Sequence, residues 1–359
     1  MKMRYLSFFL AALCYIVAQA QRIQVVDNDG LPIPYVAVTD AKGALVGSTD
    51  NDGWFENKKG ATDLYLSHLA FQAKNVHTDT LTAARIVMDD VEFGLAEVEV
   101  KPKELAYIQT YYRLIYFDDD GPLYFRGGVI DNTYDFAKKK TSSKKRSLAK
   151  GENGLLRFLI STIVGRYIDK LGQVSEESTH KRVLRHARKG DLTITGDSLA
   201  RQTISDTISV LGFIDTDLAA GLRTTSFDVW AYHQHQEATK ARAKGKKVKD
   251  DKTADRDESY YEVYRVDEQG RSRVDDFVMR QMQTCGRHDD GKQYMILLQA
   301  YTTARDYIDK KEFKQTRKDN EVEMKITDLR QFEQAHNIPA LPPNVKAAVD
   351  KLFEKELNK

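Results

Sequence analysis

The chain has 359 residues, 55 Lys and Arg against 53 Asp and Glu, 41% hydrophobic residues and 30% charged residues. With 21 Gly and 7 Pro it is neither collagenous nor Pro/Gly-rich and disordered, and its apolar fraction suffices for buried cores. At ~100–200 residues per domain, the length fits two domains or one large one.

Lys2 and Arg4 form a basic start, residues 5–17 are apolar, and Ala18-Gln19-Ala20 is a small-x-small cleavage site. This is the layout of a secretory signal peptide over 1–20, with Gln21 as the first mature residue. As a helix, the apolar stretch falls short of the ~30 Å hydrocarbon core. Ala11-Ala12-Leu13-Cys14 makes a poor lipidation box, because Leu13 is bulky where a small residue should precede the cysteine. Cleavage leaves 53 basic against 53 acidic side chains, a balance with no overall field for nucleic acid. It also removes Cys14, so Cys285 stands alone and no intramolecular disulfide is expected. No later apolar run is long enough to predict a transmembrane helix.

Between 22 and 100, short apolar runs alternate with turn residues. Ile23-Gln24-Val25-Val26 meets Asp27-Asn28-Asp29-Gly30, and Asp50-Asn51-Asp52-Gly53 precedes Trp54-Phe55. Asn or Asp followed by Gly supplies the positive φ that tight hairpins need. The pattern predicts about seven short strands in an antiparallel β-sandwich over 21–100. Each acidic run is only four residues long, and Glu56 comes too soon to close a calcium loop, so both are read as turns.

These residues carry a resemblance. Val26-Asp27-Asn28-Asp29-Gly30-Leu31-Pro32-Ile33-Pro34, then Val36-Ala37-Val38, then Gly47-Ser48-Thr49-Asp50-Asn51-Asp52-Gly53-Trp54-Phe55, resemble the carboxypeptidase regulatory-like domain. Leu66-Ser67-His68-Leu69-Ala70-Phe71 is similar to that family's next strand, and Gly94-Leu95-Ala96-Glu97-Val98-Glu99-Val100 to a closing strand. The resemblance implies a transthyretin-like β-sandwich in an exported bacterial envelope protein. It implies little about activity, since such modules are attached to peptidases, transporters and surface proteins alike.

Residues 101–359 read as a mixed α+β region of unknown function. Leu105, Ile108, Tyr112 and Ile115 fall at helical spacing over 104–116, as do Leu156, Leu159, Ile163, Tyr167 and Leu171. Between them, Tyr124-Phe125-Arg126-Gly127-Gly128-Val129-Ile130 predicts a strand with a glycine bend. Further strands are expected at 192–195, 226–235, 260–266, 276–282 and 294–301, and C-terminal helices at 328–336 and 345–357. Two charged stretches, basic 138–150 and mixed 240–257, read as solvated loops. The first also suggests peripheral contact with an anionic surface.

The chemical candidates are few. His233 and His235, two apart on an expected strand, share a face and are the metal candidates, with zinc as the alternative cofactor to none. Gly196-Asp197-Ser198-Leu199 matches a GDSL esterase block, but no His has an Asp three residues before it, so a turn is expected. None of the eight His is followed by Glu at the third position, so the zinc carboxypeptidase ligand motif is absent. His180 and His186 lie in a basic stretch that repels metal. Cys285 with His288 is a weak nucleophile–base candidate. The function expected is therefore a non-catalytic exported protein, periplasmic or associated with the outer membrane or cell surface. It would bind an envelope protein or polysaccharide, with aromatic strands such as 294–301 as docking surfaces. A secreted metal-dependent hydrolase is the alternative, and a ligand-free spacer the third reading.

Overall fold

The computed structural model describes residues 21–81, 83–91, 104–152, 172–175, 177–245, 257–288, 290–316 and 322–357. The signal peptide expected at 1–20, the closing strand expected at 98–100 and the helix expected at 156–171 lie outside the described residues.

Seven strands precede residue 88: β1 (Gln21–Val26), β2 (Ala37–Thr39), β3 (Leu45–Ser48), β4 (Trp54–Asn57), β5 (Asp63–His68), β6 (Phe71–His77) and β7 (Arg85–Val87). They form a three-stranded sheet, β4-β1-β7, and a four-stranded sheet, β3-β2-β5-β6. Inward residues of both sheets, among them Ile23, Val25, Val38, Phe55 and Leu66, share one core. Burial of each such side chain stabilises by roughly 1.5–3 kcal/mol. The pairing is antiparallel except between β1 and β7, which run parallel. The two acidic runs are turns. Asp27 Oδ1 accepts from the amides of Asp29 (3.0 Å) and Leu31 (2.8 Å), and Asp50 Oδ1 does the same for Asp52 and Trp54.

The rest of the chain is organised by one eleven-stranded sheet. Its strands are β8 (Leu105–Asp118), β9 (Gly121–Asp135), β10 (Lys140–Glu152), β11 (Thr193–Gly196), β12 (Arg201–Ser205), β13 (Val210–Asp217), β14 (Leu222–Asp228), β15 (Asp257–Arg265), β16 (Phe277–Arg287), β17 (Gln293–Ile308) and β18 (Val322–Glu323). The order is β11-β12-β13-β14-β15-β16-β17-β8-β9-β10-β18. Two meanders, β8–β10 and β11–β17, therefore meet where β17 pairs antiparallel with β8.

The helix expected over 104–116 is strand β8. Its 3–4 spacing is an accident of near-complete burial: both faces of β8 are covered, so Tyr111, Tyr112, Leu114, Ile115, Tyr116 and Phe117 are all buried in succession. A strand buried on both sides loses its period of two. The basic loop expected over 138–150 is mostly strand β10. It pairs with β9 along its length, while its outer edge meets β18 only at Ser147 and Leu148. Lysines on such an edge discourage pairing with another chain. The strand expected over 226–235 ends at Asp228, which caps a helix by accepting from the Ala231 amide (2.8 Å).

The five described helices are α1 (Thr179–Arg188), α2 (Val229–Ala243), α3 (Lys310–Thr316), α4 (Ile326–Ala335) and α5 (Pro343–Leu357). α1 and α2 lay Val183, Val229 and Tyr232 on Ile204, Leu211, Ile214 and Phe227 of the sheet. On the sheet's other face, α4 and α5 bring Leu329, Val345, Val349 and Phe353 into a core that also takes Tyr35 and Leu69 from the N-terminal strands. The protein is mixed α+β, and strands dominate it. Among the described residues no helix is long and apolar enough to cross a membrane.

Candidate functional site

The N-terminal strands meet the large sheet through a buried polar chain. It begins at Gln281 of β16, 1% exposed, whose Nε2 donates to the Tyr35 carbonyl (2.8 Å). Its Oε1 accepts from the Leu69 amide (3.1 Å) and from Gln299 Nε2 (2.8 Å). Gln299 Oε1 in turn accepts from Arg113 Nε (2.7 Å), and Arg113 Nη1 donates to the Pro339 carbonyl (2.8 Å). Arg113 also lies 3.6 Å from Glu333, which accepts from Tyr111 and from Arg330 (2.9 Å). Burial, and the Glu333 charge beside it, push the Tyr111 hydroxyl well above its ordinary range, so it remains a donor. A second tie joins α5 to the N-terminal strands: Asn344 Nδ2 donates to Thr39 Oγ1 (3.0 Å) and to the Asp40 carbonyl (2.6 Å). Buried polar groups of this kind fix register, because each would be costly to leave unmade.

Beside this rigid joint lies a cavity of about 490 Å³. One wall is β3 with the outer face of β1 and β4; the other is the end of the β16–β17 hairpin. Period-two alternation in β4 sends Phe55 and Asn57 inward and Trp54 and Glu56 outward. Pairing with β1 sets Arg22 opposite Glu56, and the Arg22 guanidinium lies 4.8 Å from the Trp54 ring centre. Lys58 bridges to Glu56 at 3.1 Å. Burial holds the Asp50 carboxyl above its ordinary range, despite two backbone amides that pull it down. From the facing hairpin come Cys285, Arg287, Gln293 and Tyr294. The seam thus presents cations, carboxylates and an indole together, enough to hold a ligand carrying both donors and acceptors.

The expected metal pair does not share a face. His233 and His235 sit on helix α2, where two residues turn through about 200°. His235 Nδ1 meets Asp206 Oδ2 at 2.7 Å, while His233 Nε2 lies 3.5 Å from Arg182. Glu237 on the same helix pairs with Lys240. Among the described residues there is no cluster of three or more His, Cys, Asp or Glu arranged to hold a metal ion. Gly196-Asp197-Ser198-Leu199 is the β11–β12 turn, with Asp197 Oδ1 accepting from the Leu199 amide (2.9 Å). Cys285 packs against the core under the N-terminal strands, whereas His288 bonds Tyr116 at 2.8 Å on the other face, so they form no nucleophile–base pair. His186 bonds Asp191 and Tyr232. His180 is driven down to about 4 by burial, with Arg223 and Lys181 adding to the effect. The docking surface expected at 294–301 is interior: Tyr294 is 4% exposed and Tyr301 1%.

A second cavity, about 240 Å³, lies between the start of α1 and strands β15 and β16. Two of its charges, Glu262 and Arg280, pair with each other. The buried Glu262 carboxylate accepts from both Arg280 and the Thr179 amide.

Sequence reasoning missed Arg22, Trp54 and Arg287 as a group. The signal was faint: the outward Trp54 and Glu56 of β4 are readable, but nothing local points from them to a hairpin more than 200 residues away.

No protein-family model and no curated protein matches the chain. What the fold and seam define is a mixed α+β protein with a polar cleft between two sheet systems.

Proposed function

We propose that this is an exported, non-catalytic protein of the cell envelope that holds another envelope component, protein or glycan, in the seam. Its N-terminal strands are taken as a carboxypeptidase regulatory-like, transthyretin-like sandwich, and its first twenty residues as the signal peptide that exports it. The observation that carries the reading is the 490 Å³ cavity, built from both the N-terminal strands and the large sheet, next to a joint locked by Gln281. A preformed polar cleft on a rigid frame binds without a large ordering cost.

The hydrolase alternative had its foothold in the His233/His235 strand, and that pair diverges on α2. The test is cross-linking and affinity capture with the full chain in the producing cell's envelope fraction, with zinc measured on the same preparation. One component recovered in near-equal amount, and lost when the seam is plugged, supports the reading. Capture indifferent to the plug, or a chain that stays in the cytosol with its N-terminus intact, overturns it. Tightly held zinc with no captured component returns the hydrolase.

A further inference from the structure

We infer that the seam takes an acidic saccharide, its carboxylate on Arg287 and its hydroxyls shared among the seam's other polar groups. This rests on the seam being the binding site and deepens that reading to a ligand class.

The charges select the class. Arg22, Lys58, Asp50 and Glu56 line the N-terminal wall and Arg287 the facing hairpin, three cations against two carboxylates. Four of the five have partners: Lys58 pairs with Glu56, Arg22 stacks on Trp54, and Asp50 takes two backbone amides. Arg287 is different. Among the described residues its guanidinium has no ion-pair or hydrogen-bond partner. A planar fork of five donors without an acceptor suits a carboxylate, which it grips with two parallel bonds. One excess positive charge is balanced by one uronate, while a dianionic phosphate would overfill the seam with negative charge.

The rest of the lining suits sugar. Hydroxyls donate and accept at once, and Asp50, Glu56 and Gln293 supply acceptors and a donor within one cleft. Trp54 adds an amphipathic ring at the wall. The volume lies within the ~300–1,000 Å³ of ordinary ligand pockets. A peptide strand added to β3, the edge of its sheet, is disfavoured because Lys59 Nζ already engages the Leu45 carbonyl (2.6 Å).

The cavity carries its own reporter. With Cys14→Ser in the full chain, Cys285 is the sole cysteine, and it lies in the cavity wall. The alkylation rate of Cys285 is measured against rising concentrations of methyl galacturonoside, which carries one carboxylate, and of neutral methyl galactoside. The expected result is saturable slowing of at least fivefold with the uronate and less than twofold with the neutral sugar. Arg287→Gln should raise the half-protecting uronate concentration at least tenfold. Gly47→Trp should abolish protection: Gly47 lies in the cavity wall, a Cβ there meets nothing within 4 Å and the backbone is extended, so a bulky side chain at this position obstructs the cavity. Circular dichroism and the melting temperature confirm that each variant is folded; if either is not, Arg287→Lys, which keeps the charge and loses the fork, is read in its place.

Equal protection by both sugars, or none by the uronate, overturns the saccharide. Capture from the envelope fraction separates this failure from failure of the seam. A protein partner lost on Gly47→Trp, with no uronate protection, leaves the seam standing and removes the sugar. Unchanged capture and no protection remove both.

Discussion

The amide of Gln281 holds the carbonyl of Tyr35 at 2.8 Å, across 246 residues of chain, and Tyr35 is a non-glycine residue with φ +61°. That backbone conformation costs an L-residue roughly 1–2 kcal/mol, so it persists only where its surroundings hold it. Here the holding group is a buried side chain from the middle of the large sheet. The Tyr35 hydroxyl adds a bond to Asn51 Oδ1 at 2.6 Å. The N-terminal strands are thus gripped by their backbone, through Tyr35 and Leu69.

Replacing Gln281 by Leu keeps much of its volume and strands three groups: the Tyr35 carbonyl, the Leu69 amide and Gln299 Nε2. Each buried unpaired group costs about 1–3 kcal/mol. Urea unfolding of Gln281→Leu should show a loss on the order of 3 kcal/mol. Because Gln299 links Gln281 to Arg113, the double variant Gln281→Leu with Arg113→Met should depart from additivity by at least about 0.5 kcal/mol. A loss under about 1 kcal/mol for the single change, or strict additivity in the pair, would mean that the chain of bonds is not cooperative.

How much of this was legible depends on what each stretch buries. The N-terminal strands are half-buried and punctuated by Asp-Asn-Asp-Gly turns, so their positions follow from local residues alone. The C-terminal helices are amphipathic and are equally plain, with Val345, Val349 and Phe353 on one stripe. Strand β8 was misread because burial on both faces erases the period that identifies a strand. His233 and His235 were misplaced for a related reason: Trp230 and Tyr232 favour a strand by composition, yet the Asp228 cap and the packing of Tyr232 on Phe227 decide for a helix. The seam was hidden because its two walls are joined only by tertiary pairing.

His68 supplies a pH prediction. It is 2% exposed, its Nδ1 accepts from the Ala70 amide (3.2 Å), and its ring meets Tyr261 edge-on at 4.6 Å, at the same joint. Burial drives its pKa down from 6.5 to about 3. Below pH 6.5 the unfolded chain takes up a proton that the folded chain refuses. Stability is therefore full above 6.5 and falls as pH drops from 6.5 towards 3, by on the order of 2 kcal/mol at pH 5. His68→Asn keeps an acceptor for Ala70 and cannot titrate. Its urea midpoint should fall less than the wild type's between pH 7 and pH 5, and equal falls would show that other groups govern this range.

The lysines of β10 predict a change in association without a change in fold. Lys138 and Lys140 are exposed, and Lys140 and Lys145 lie on a sheet edge that β18 covers at only two residues. Changing Lys138, Lys140 and Lys145 to Thr keeps strand propensity and removes the charges that deter edge pairing. Unfolding free energy should move by less than about 0.5 kcal/mol, as for most surface changes. Light scattering at high protein concentration should rise severalfold. The same triple variant reads the anionic contact expected over 138–150, since unchanged sedimentation with anionic vesicles would remove that contact.

Gly128 tests the glycine bend of β9. It pairs with Leu148 of β10, next to Ser147 and the register shift between Lys145 and Ser147. A Cβ placed there would lie 2.0 Å from the Ser147 carbonyl oxygen and 3.2 Å from the Tyr112 hydroxyl. Neither neighbour can give way cheaply: the first is backbone in a paired strand, and the second belongs to a fully buried tyrosine. The β9–β10 ladder must open locally, and Ser147 Oγ would lose its bond from the Val129 amide (3.1 Å). Gly128→Ala should therefore cost more than about 2 kcal/mol, at the large end for a single methyl, as expected of overpacking against fixed atoms. Hydrogen exchange should locate the damage, with amides of 126–130 and 145–149 losing protection while those of β1 to β7 keep theirs. A cost below about 0.5 kcal/mol would mean that the two strands approach less closely here than the structure shows.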